Sequence, residues 1–309
     1  MYRYLTIFSL LLFIGCTDTK KQPITNSAQW NQPYQAISKL GDTLYSTTPS
    51  EKLLIRYSAK KKAFEDNPDL ENTIWHGRFT AYTGDYREAI EMYTNALEKF
   101  PNESRLLRHR GHRYISVREF DKAIADLEQA AQLIKVKENK VEEDGMPNAQ
   151  GIPVSTMHGN IYYHLGLAHY LAGNDREAIN AYEKCLATSP SPDNVVSAVH
   201  WLYTINCQMG NTEKANTYLQ QIDPSMSVIE NEAYLKACLL YKGLLQAEEL
   251  LEKSEDSPSN SALAYGVANY LLCQGDTDAA HNIFKDIVSG TDWASFGYIA
   301  AEVDLATKF

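Results

Sequence analysis

The stretch that decides the fold is Gly84-Asp-Tyr-Arg-Glu-Ala-Ile-Glu-Met-Tyr-Thr-Asn-Ala-Leu-Glu-Lys-Phe-Pro101. Its run of small and aromatic residues returns 34 residues later, and so does a glycine that precedes it. The recurring pairs are Gly77 and Gly111, Tyr86 and Phe120, Ala89 and Ala123, and Ala96 and Ala130. A period of this length, with small residues where helices must approach closely, predicts a stacked array of helix–turn–helix units.

The repeats extend from about Pro49 to the C terminus. Clear copies occupy about 70–103, 104–137 and 159–192, and weaker ones follow near Gly210, Ala247 and Gly275. The pattern resembles that of the tetratricopeptide repeat family. The matching residues of the first clear copy are Gly77, Tyr86, Ala89, Tyr93, Ala96 and Pro101. The resemblance implies an all-α, right-handed superhelical solenoid over residues 50–309, with a degenerate first unit and a C-terminal capping helix within Trp293–Phe309.

An insertion interrupts the array. Ala123 and Ala178 occupy equivalent positions but are 55 residues apart rather than 34, so 21 extra residues lie between them, at about 137–157. This segment has no helical apolar period. Long ordered insertions in repeat arrays emerge over one face and are often functional, while a solvated loop is the alternative. The sequence leaves both interpretations open.

The N terminus resembles that of a bacterial lipoprotein. Residues 1–15 read as a signal peptide whose apolar run is too short to span a bilayer. Leu12-Phe-Ile-Gly-Cys16 is similar to a lipobox, which implies lipid attachment at Cys16; an ordinary secretory signal is the alternative. Residues 16–49 are polar and are predicted to form a flexible tether. The expected location is the bacterial cell envelope, lipid-anchored at the periplasmic face of the outer membrane.

Charge and motifs narrow the function class. The net charge is −10, and Asp223 to Phe309 contains 14 acidic residues against five lysines, so the chain lacks the broad basic face of a general nucleic-acid-binding protein. No nucleophile, metalloprotease or nucleotide-binding motif is present, which predicts a protein without enzymatic activity, metal or cofactor. The cysteines within apolar helical patterns are predicted to be free, buried thiols: Cys185, Cys207, Cys238 and Cys273.

A basic stripe marks the candidate binding face. In the second clear repeat it lies on the helix face opposite the packing residues, with i, i+3, i+4, i+7 spacing, and the repeat offsets carry it onto neighbouring units. The candidate ligand-binding residues are Trp75, Arg78, Arg105, Arg108, His109, His112, Tyr163, His164, His200 and Trp201. Arg110 lies at a packing position of the same helix, so we expect it to form an ion pair with a carboxylate.

The stripe predicts a groove with a cationic centre and aromatic flanks. Arginine gives bidentate hydrogen bonds to carboxylates, and tryptophan or tyrosine gives flat contact area. The favoured hypothesis is a membrane-anchored binding scaffold that holds an acidic or carboxylate-bearing protein or peptide partner in a cell-envelope assembly. The alternative is a receptor for a small molecule or glycan that uses aromatic stacking in the same groove. A solvated face paired with acids of the next repeat would have the same sequence pattern.

Overall fold

The computed structural model describes residues 33–251 and 261–309, so the predicted signal peptide, Cys16 and the start of the predicted tether lie outside the described residues. Within these ranges the helices and strands are β1 (Tyr34–Ile37), β2 (Thr43–Tyr45), α1 (Glu51–Asp66), α2 (Leu70–Tyr82), α3 (Tyr86–Lys99), α4 (Ser104–Ser116), α5 (Phe120–Leu133), α6 (Met157–Leu171), α7 (Asp175–Thr188), α8 (Pro192–Gln208), α9 (Thr212–Leu219), α10 (Glu232–Tyr241), α11 (Ala247–Leu251), α12 (Ser261–Cys273), α13 (Thr277–Val288) and α14 (Phe296–Lys308). None of these helices is both long and apolar enough to cross a membrane.

The helix pairs follow the predicted repeats. The clear copies form α2 with α3, α4 with α5, and α6 with α7, and the copies near Gly210 and Gly275 form α8 with α9 and α12 with α13; near Ala247, the short α11 packs against α12. The unit before them is represented by α1, whose N-cap Ser50 accepts a hydrogen bond from the backbone N–H of Leu53. The prediction of an all-α solenoid of helix–turn–helix units is therefore confirmed.

Close packing explains the 34-residue pattern. A Cβ atom placed on Gly77 would lie 2.5 Å from the ring of Tyr93, and one on Gly111 would lie 2.8 Å from Leu127. In these clear repeats the first helix therefore needs a glycine where a large side chain of the second helix rests against its backbone. The 34-residue spacing of Gly77 and Gly111 reflects this same contact in two successive helix pairs.

The end of the predicted tether differs from the expectation. Residues 34–45 form an antiparallel hairpin in which Ala36 and Leu44 are buried. The indole N–H of Trp293 donates to the backbone oxygen of Tyr45 at 2.9 Å. Polar composition predicted a tether, but these two apolar side chains pack into the core shared with the C-terminal helix, so 33–49 is not a free linker.

The last helix does not lie on the outside as a simple cap. Glu302 in α14 is fully buried and forms a bidentate ion pair with Arg118, which lies between α4 and α5, with Nη2–Oε2 at 2.7 Å and Nε–Oε1 at 3.1 Å. The backbone N–H of Lys39 also donates to Glu302 at 2.7 Å. The hairpin, the second clear repeat and α14 thus meet, and the solenoid is closed by contacts between residues far apart in sequence.

The cysteines divide into two groups. Cys185 and Cys238 are free and buried, as predicted. Cys207 and Cys273 instead form a disulfide across 66 residues, so the prediction of free thiols was wrong for this pair. The reason is tertiary: α8 packs directly against α12, two units later in the array, and this contact has no counterpart in the local sequence pattern.

Candidate binding surface on the inner helices

The predicted stripe lies on α2, α4, α6 and α8, and each of these helices contacts the next one in this order. We call the face formed by their stripe residues the inner surface. Residues 137–156, which we call the strap, link the short turn after α5 to α6. The strap lies across part of the inner surface, held by contacts with α1, α2, α4 and α6. The sequence had suggested an open groove. The structure differs because the insertion covers the centre of the inner surface.

Arg108 lies at that centre, with only 8% of its side chain exposed. Its Nη2 donates to Oε2 of Glu142 in the strap, and the same oxygen accepts a hydrogen bond from Nδ2 of Asn160. Burial alone would raise the pKa of Glu142, but the charge of Arg108 and these two hydrogen bonds lower it, so the carboxylate is ionised at neutral pH. The stripe thus holds a carboxylate, and the chain itself supplies it.

The first half of the predicted site surrounds a cavity of about 280 Å³ between α2, α4 and the strap. The predicted residues that line it are Trp75, Arg78, Arg105 and His109. Arg78 stacks over Trp75, with its guanidinium carbon 4.3 Å from the ring centroid, and donates to the backbone oxygen of Glu143 at 3.0 Å. Arg105 pairs with Glu71 at 2.7 Å. One wall of this cavity is therefore basic and the other belongs to the strap.

The second half surrounds another cavity of about 280 Å³, on the other side of Asn160. Tyr163 and His164 line it, together with Ser197 of α8 and Tyr234 of α10. The Tyr163 hydroxyl lies 2.8 Å from that of Tyr234. Most of its lining groups are neutral hydrogen-bonding groups, but Asp193 and Glu230 also line it and no arginine or lysine does, so it lacks the arginines of the cavity beside Trp75.

Four predicted residues line neither cavity: Arg108, whose side chain is paired with Glu142 as described above, and His112, His200 and Trp201. His200 and Trp201 are 0% and 1% exposed because α8 packs against both α10 and α12, which cover this face. His112 packs against His164, with ring centroids 4.3 Å apart, and against Phe296 of α14 at 5.1 Å. The structure therefore does not bring His112, His200 and Trp201 to an open groove, because α10, α12 and α14 cover the stripe where it would continue.

The histidines of the stripe do not contribute positive charge. Burial lowers the pKa of His164 and His200 to about 3, with the nearby Arg108 adding to the effect on His164. Burial and then the neighbouring arginines hold the pKa values of His109 and His112 well below the ordinary histidine value. All four are neutral at pH 7, so the charge of the inner surface comes from its arginines. Within 33–251 and 261–309 no three His, Cys, Asp or Glu side chains form a group that could hold a metal ion.

Arg110 behaves as its sequence position predicted. Its Nε and Nη2 both donate to the carboxylate of Asp126 in α5, at 2.7 Å each. This bidentate pair ties the two helices of one repeat together. It points away from the inner surface, and its role is structural.

A larger cavity of about 740 Å³ lies outside the inner surface, at the turns that α14 covers. Asp304 lies in its wall and accepts hydrogen bonds from the hydroxyls of Tyr265 at 2.9 Å and Tyr170 at 3.1 Å, and from Nζ of Lys308 at 2.6 Å. The sequence analysis did not identify these residues. No local pattern could have done so, because Tyr170 and Asp304 are 134 residues apart.

Two further residues were missed on the inner surface itself, Asn160 and Glu142. Asn160 lies at a stripe position but is neither charged nor aromatic, so its residue type gave no signal. Glu142 begins the acidic run Glu142-Glu-Asp144 of the insertion. That run was a usable signal, because it follows directly after the repeat with four arginines and no acid between Arg105 and Tyr114.

Comparisons with known proteins identify the repeats. Models described as tetratricopeptide repeat match residues 81–134 and 159–192. Among solved structures, a tetratricopeptide repeat protein from Parabacteroides merdae is 16% identical, over 81% of this chain and 92% of that one, with a TM-score of 0.46. YrrB, described as having an unusual peptide-binding site, is 13% identical over 79% and 96%, with a TM-score of 0.42. With TM-scores this low the solved structures carry no argument, so the identification of tetratricopeptide repeats rests on the two family-model matches. A comparison with curated proteins gave no match.

Proposed function

We propose that this tetratricopeptide repeat protein is a binding scaffold whose inner surface holds an extended acidic segment of a protein partner. The observation that carries the proposal is the strap, because an extended acidic segment already lies on this surface and three successive arginine contacts to it come from three different helices. The pairs are Arg108 with the Glu142 carboxylate, Arg78 with the Glu143 backbone oxygen at 3.0 Å and Arg56 with the Gly145 backbone oxygen at 2.8 Å.

The chemistry of these contacts defines the partner. Guanidinium groups bind both carboxylates and main-chain carbonyls, so they can hold an extended chain along its length and favour acidic side chains. The helices of a repeat array present such groups at regular intervals along one face. A protein or peptide ligand therefore suits this surface, and the residues give no reason to assign catalysis to it.

The experiment compares capture of partners from detergent-solubilised envelopes by the wild type and by Arg78→Glu and Arg105→Glu. These side chains are partly exposed at the cavity, unlike Arg108, whose loss would leave Glu142 buried without its cation. The matched control is Lys184→Glu, the same charge reversal at an exposed site on α7. We expect a partner that the wild type and the control retain and both arginine variants lose. Equal capture by all four proteins would refute the assignment of the inner surface.

The glycan-receptor alternative gains no support from the aromatic residues. It requires open ring faces, but Trp201 is 1% exposed and stacks against Tyr182, with the two rings inclined by 6°. Trp75 is 8% exposed and has Arg78 over its ring. Neither indole offers the flat accessible platform that stacking on a sugar uses.

The proposal also places the protein at the periplasmic face of the bacterial outer membrane, attached through lipid at Cys16. The N-terminal resemblance supports this location, and so does the Cys207–Cys273 disulfide, because such bonds persist mainly in oxidising compartments. Cys16→Ala should move the protein from the membrane fraction to the soluble fraction. Mass spectrometry of the mature N terminus checks the lipid directly. Unchanged membrane association together with an unmodified Cys16 would refute the anchor.

A further inference from the structure

The strap makes the contacts of a bound ligand rather than those of a core element. Three of its apolar side chains are at least half exposed: Val141 at 62%, Met146 at 53% and Ile152 at 50%. Its hydrogen bonds to the helices come from Arg56 of α1 and from Arg78, Arg108 and Asn160 of the inner surface. Because these apolar side chains contribute little buried area, the strap can detach while the helix-to-helix core stays covered.

The strap also fits the inner surface imperfectly. One carboxylate oxygen of Asp144, Oδ2, is buried without a hydrogen-bond donor among the described residues, and burial followed by the charge of Glu230 raises the pKa of this side chain. On the opposite side, Nε of Arg78 and Nε of Arg108 are buried and have no acceptor in the described part of the chain. Unpaired buried polar atoms destabilise the arrangement that contains them. A ligand in better register could satisfy donors that the strap leaves unused.

Glu142 separates the two cavities of the inner surface. Its side chain lines the basic cavity beside Trp75, and it is hydrogen-bonded to Asn160, which lines the cavity beside Tyr163. Strap residues form a wall of each cavity, Val141 in the first and Ser155 in the second. Removal of the strap would therefore join the two spaces into one groove across α2, α4 and α6.

We propose that the strap is an internal competitor of the partner and that Glu142 is the contact that holds it closed. This inference rests on the proposed function: an acidic peptide segment of the partner takes the place of residues 140–146 on Arg108, Asn160 and Arg78. Strap closure and partner binding then exclude each other. The apparent Kd of the partner is the intrinsic value divided by the open fraction, so a strap closed in about nine-tenths of molecules weakens binding about tenfold.

Amide hydrogen exchange of the full-length protein tests the closing contact without any ligand. The backbone N–H of Glu142 donates to the Ser155 oxygen at 2.9 Å and that of Met157 to the Lys140 oxygen at 2.8 Å, so both amides report on the release of residues 140–142 from the segment that begins α6. Glu142→Gln keeps the size of the side chain and an oxygen for Arg108 but removes the charge. We expect exchange at both amides to rise about tenfold. Glu143→Gln is the matched control, because its carboxylate is exposed, and it should exchange as the wild type does.

Fluorescence anisotropy tests the competition. The probe is a fluorescein-labelled heptapeptide with the sequence of residues 140–146, Lys-Val-Glu-Glu-Asp-Gly-Met. Glu142→Gln should bind it about tenfold more tightly than the wild type or Glu143→Gln does. A peptide with glutamine at the position of Glu142 should lose this gain. Asn160→Asp supplies Arg108 with a carboxylate from α6, so it should open the strap without tightening peptide binding.

The outcomes taken together distinguish the competitor from the binding surface. Faster strap exchange with tighter peptide binding in Glu142→Gln supports both. Equal, measurable peptide affinity in the wild type and Glu142→Gln would leave the binding surface standing and overturn the competitor. Faster exchange with no peptide binding in any variant would overturn both, because the opened surface would then lack affinity for acidic peptides. Unchanged exchange in both Glu142→Gln and Asn160→Asp would overturn the role of Glu142; a melting curve for each variant confirms that it is folded.

Discussion

The buried pair Arg118–Glu302 gives the sharpest test of how the solenoid is closed. The two side chains are 2% and 0% exposed, and Glu302 also accepts the backbone N–H of Lys39. Glu302→Gln keeps the shape and the acceptor oxygen but leaves the guanidinium of Arg118 buried without a counter-charge. Removal of one partner from a buried pair destabilises a protein by about 3–5 kcal/mol. For a chain of this size each kcal/mol lowers Tm by about 2–4 °C, so we expect a drop of roughly 6–20 °C.

Thermal unfolding monitored by circular dichroism measures the drop in Tm, and urea titration at 25 °C measures the loss in the free energy of unfolding. Asp66→Asn is the control, because it breaks the exposed pair Lys62–Asp66 and should leave the midpoint unchanged. The double variant Arg118→Met/Glu302→Met removes both buried charges and should recover most of the lost stability. A loss below about 1 kcal/mol in Glu302→Gln would refute the reasoning, since a buried uncompensated charge cannot be that well tolerated.

Three further predictions concern the interior. Burial lowers the pKa of His200 to about 3, below the value of about 6.5 in the unfolded chain. The contribution of neutral His200 to the free energy of unfolding is therefore present above pH 6.5 and is lost as the pH falls toward 3. Urea titrations at pH 7 and pH 5 should show a loss of stability that is smaller in His200→Gln, and equal losses in the two proteins would contradict this. Reduction of the Cys207–Cys273 disulfide, which closes 66 residues, should lower stability by roughly 2–4 kcal/mol, measured by melting with and without dithiothreitol alongside thiol alkylation. Gly111→Ala should cost about 1–3 kcal/mol, because the added Cβ would meet Leu127 at 2.8 Å; an unchanged melting curve would show that the helix pair can separate freely.

Many residues of the candidate site could be predicted from the sequence, but the sequence did not predict that the strap covers it. The repeat offsets placed Trp75, Arg78, Arg105 and His109 on one face, and the structure brings these residues around one cavity. The offsets treat every repeat as equally open, however. They could not show that the insertion returns Glu142 to the stripe, because the path of an irregular segment depends on the surface on which it lands.

The sequence by itself determined the helix pairs. The helix boundaries follow from caps such as Ser50, which acts within the first turn of its helix. The packing of each pair follows from contacts of a small with a large residue, such as Gly77 with Tyr93, which lie within one repeat. Even the bidentate Arg110–Asp126 pair could be expected, because it joins the two helices of a single unit. These features recur because each repeat solves the same local packing problem.

Only the tertiary structure decided how the array closes. The Arg118–Glu302 pair spans 184 residues and the Cys207–Cys273 disulfide spans 66, and both depend on where the curve of the solenoid carries distant helices. That curve is the sum of small rotations between successive repeats, so a slight difference in one unit changes which distant residues meet. For this reason the sequence predicted an open groove, while the structure contains a closed solenoid with the strap across its inner surface.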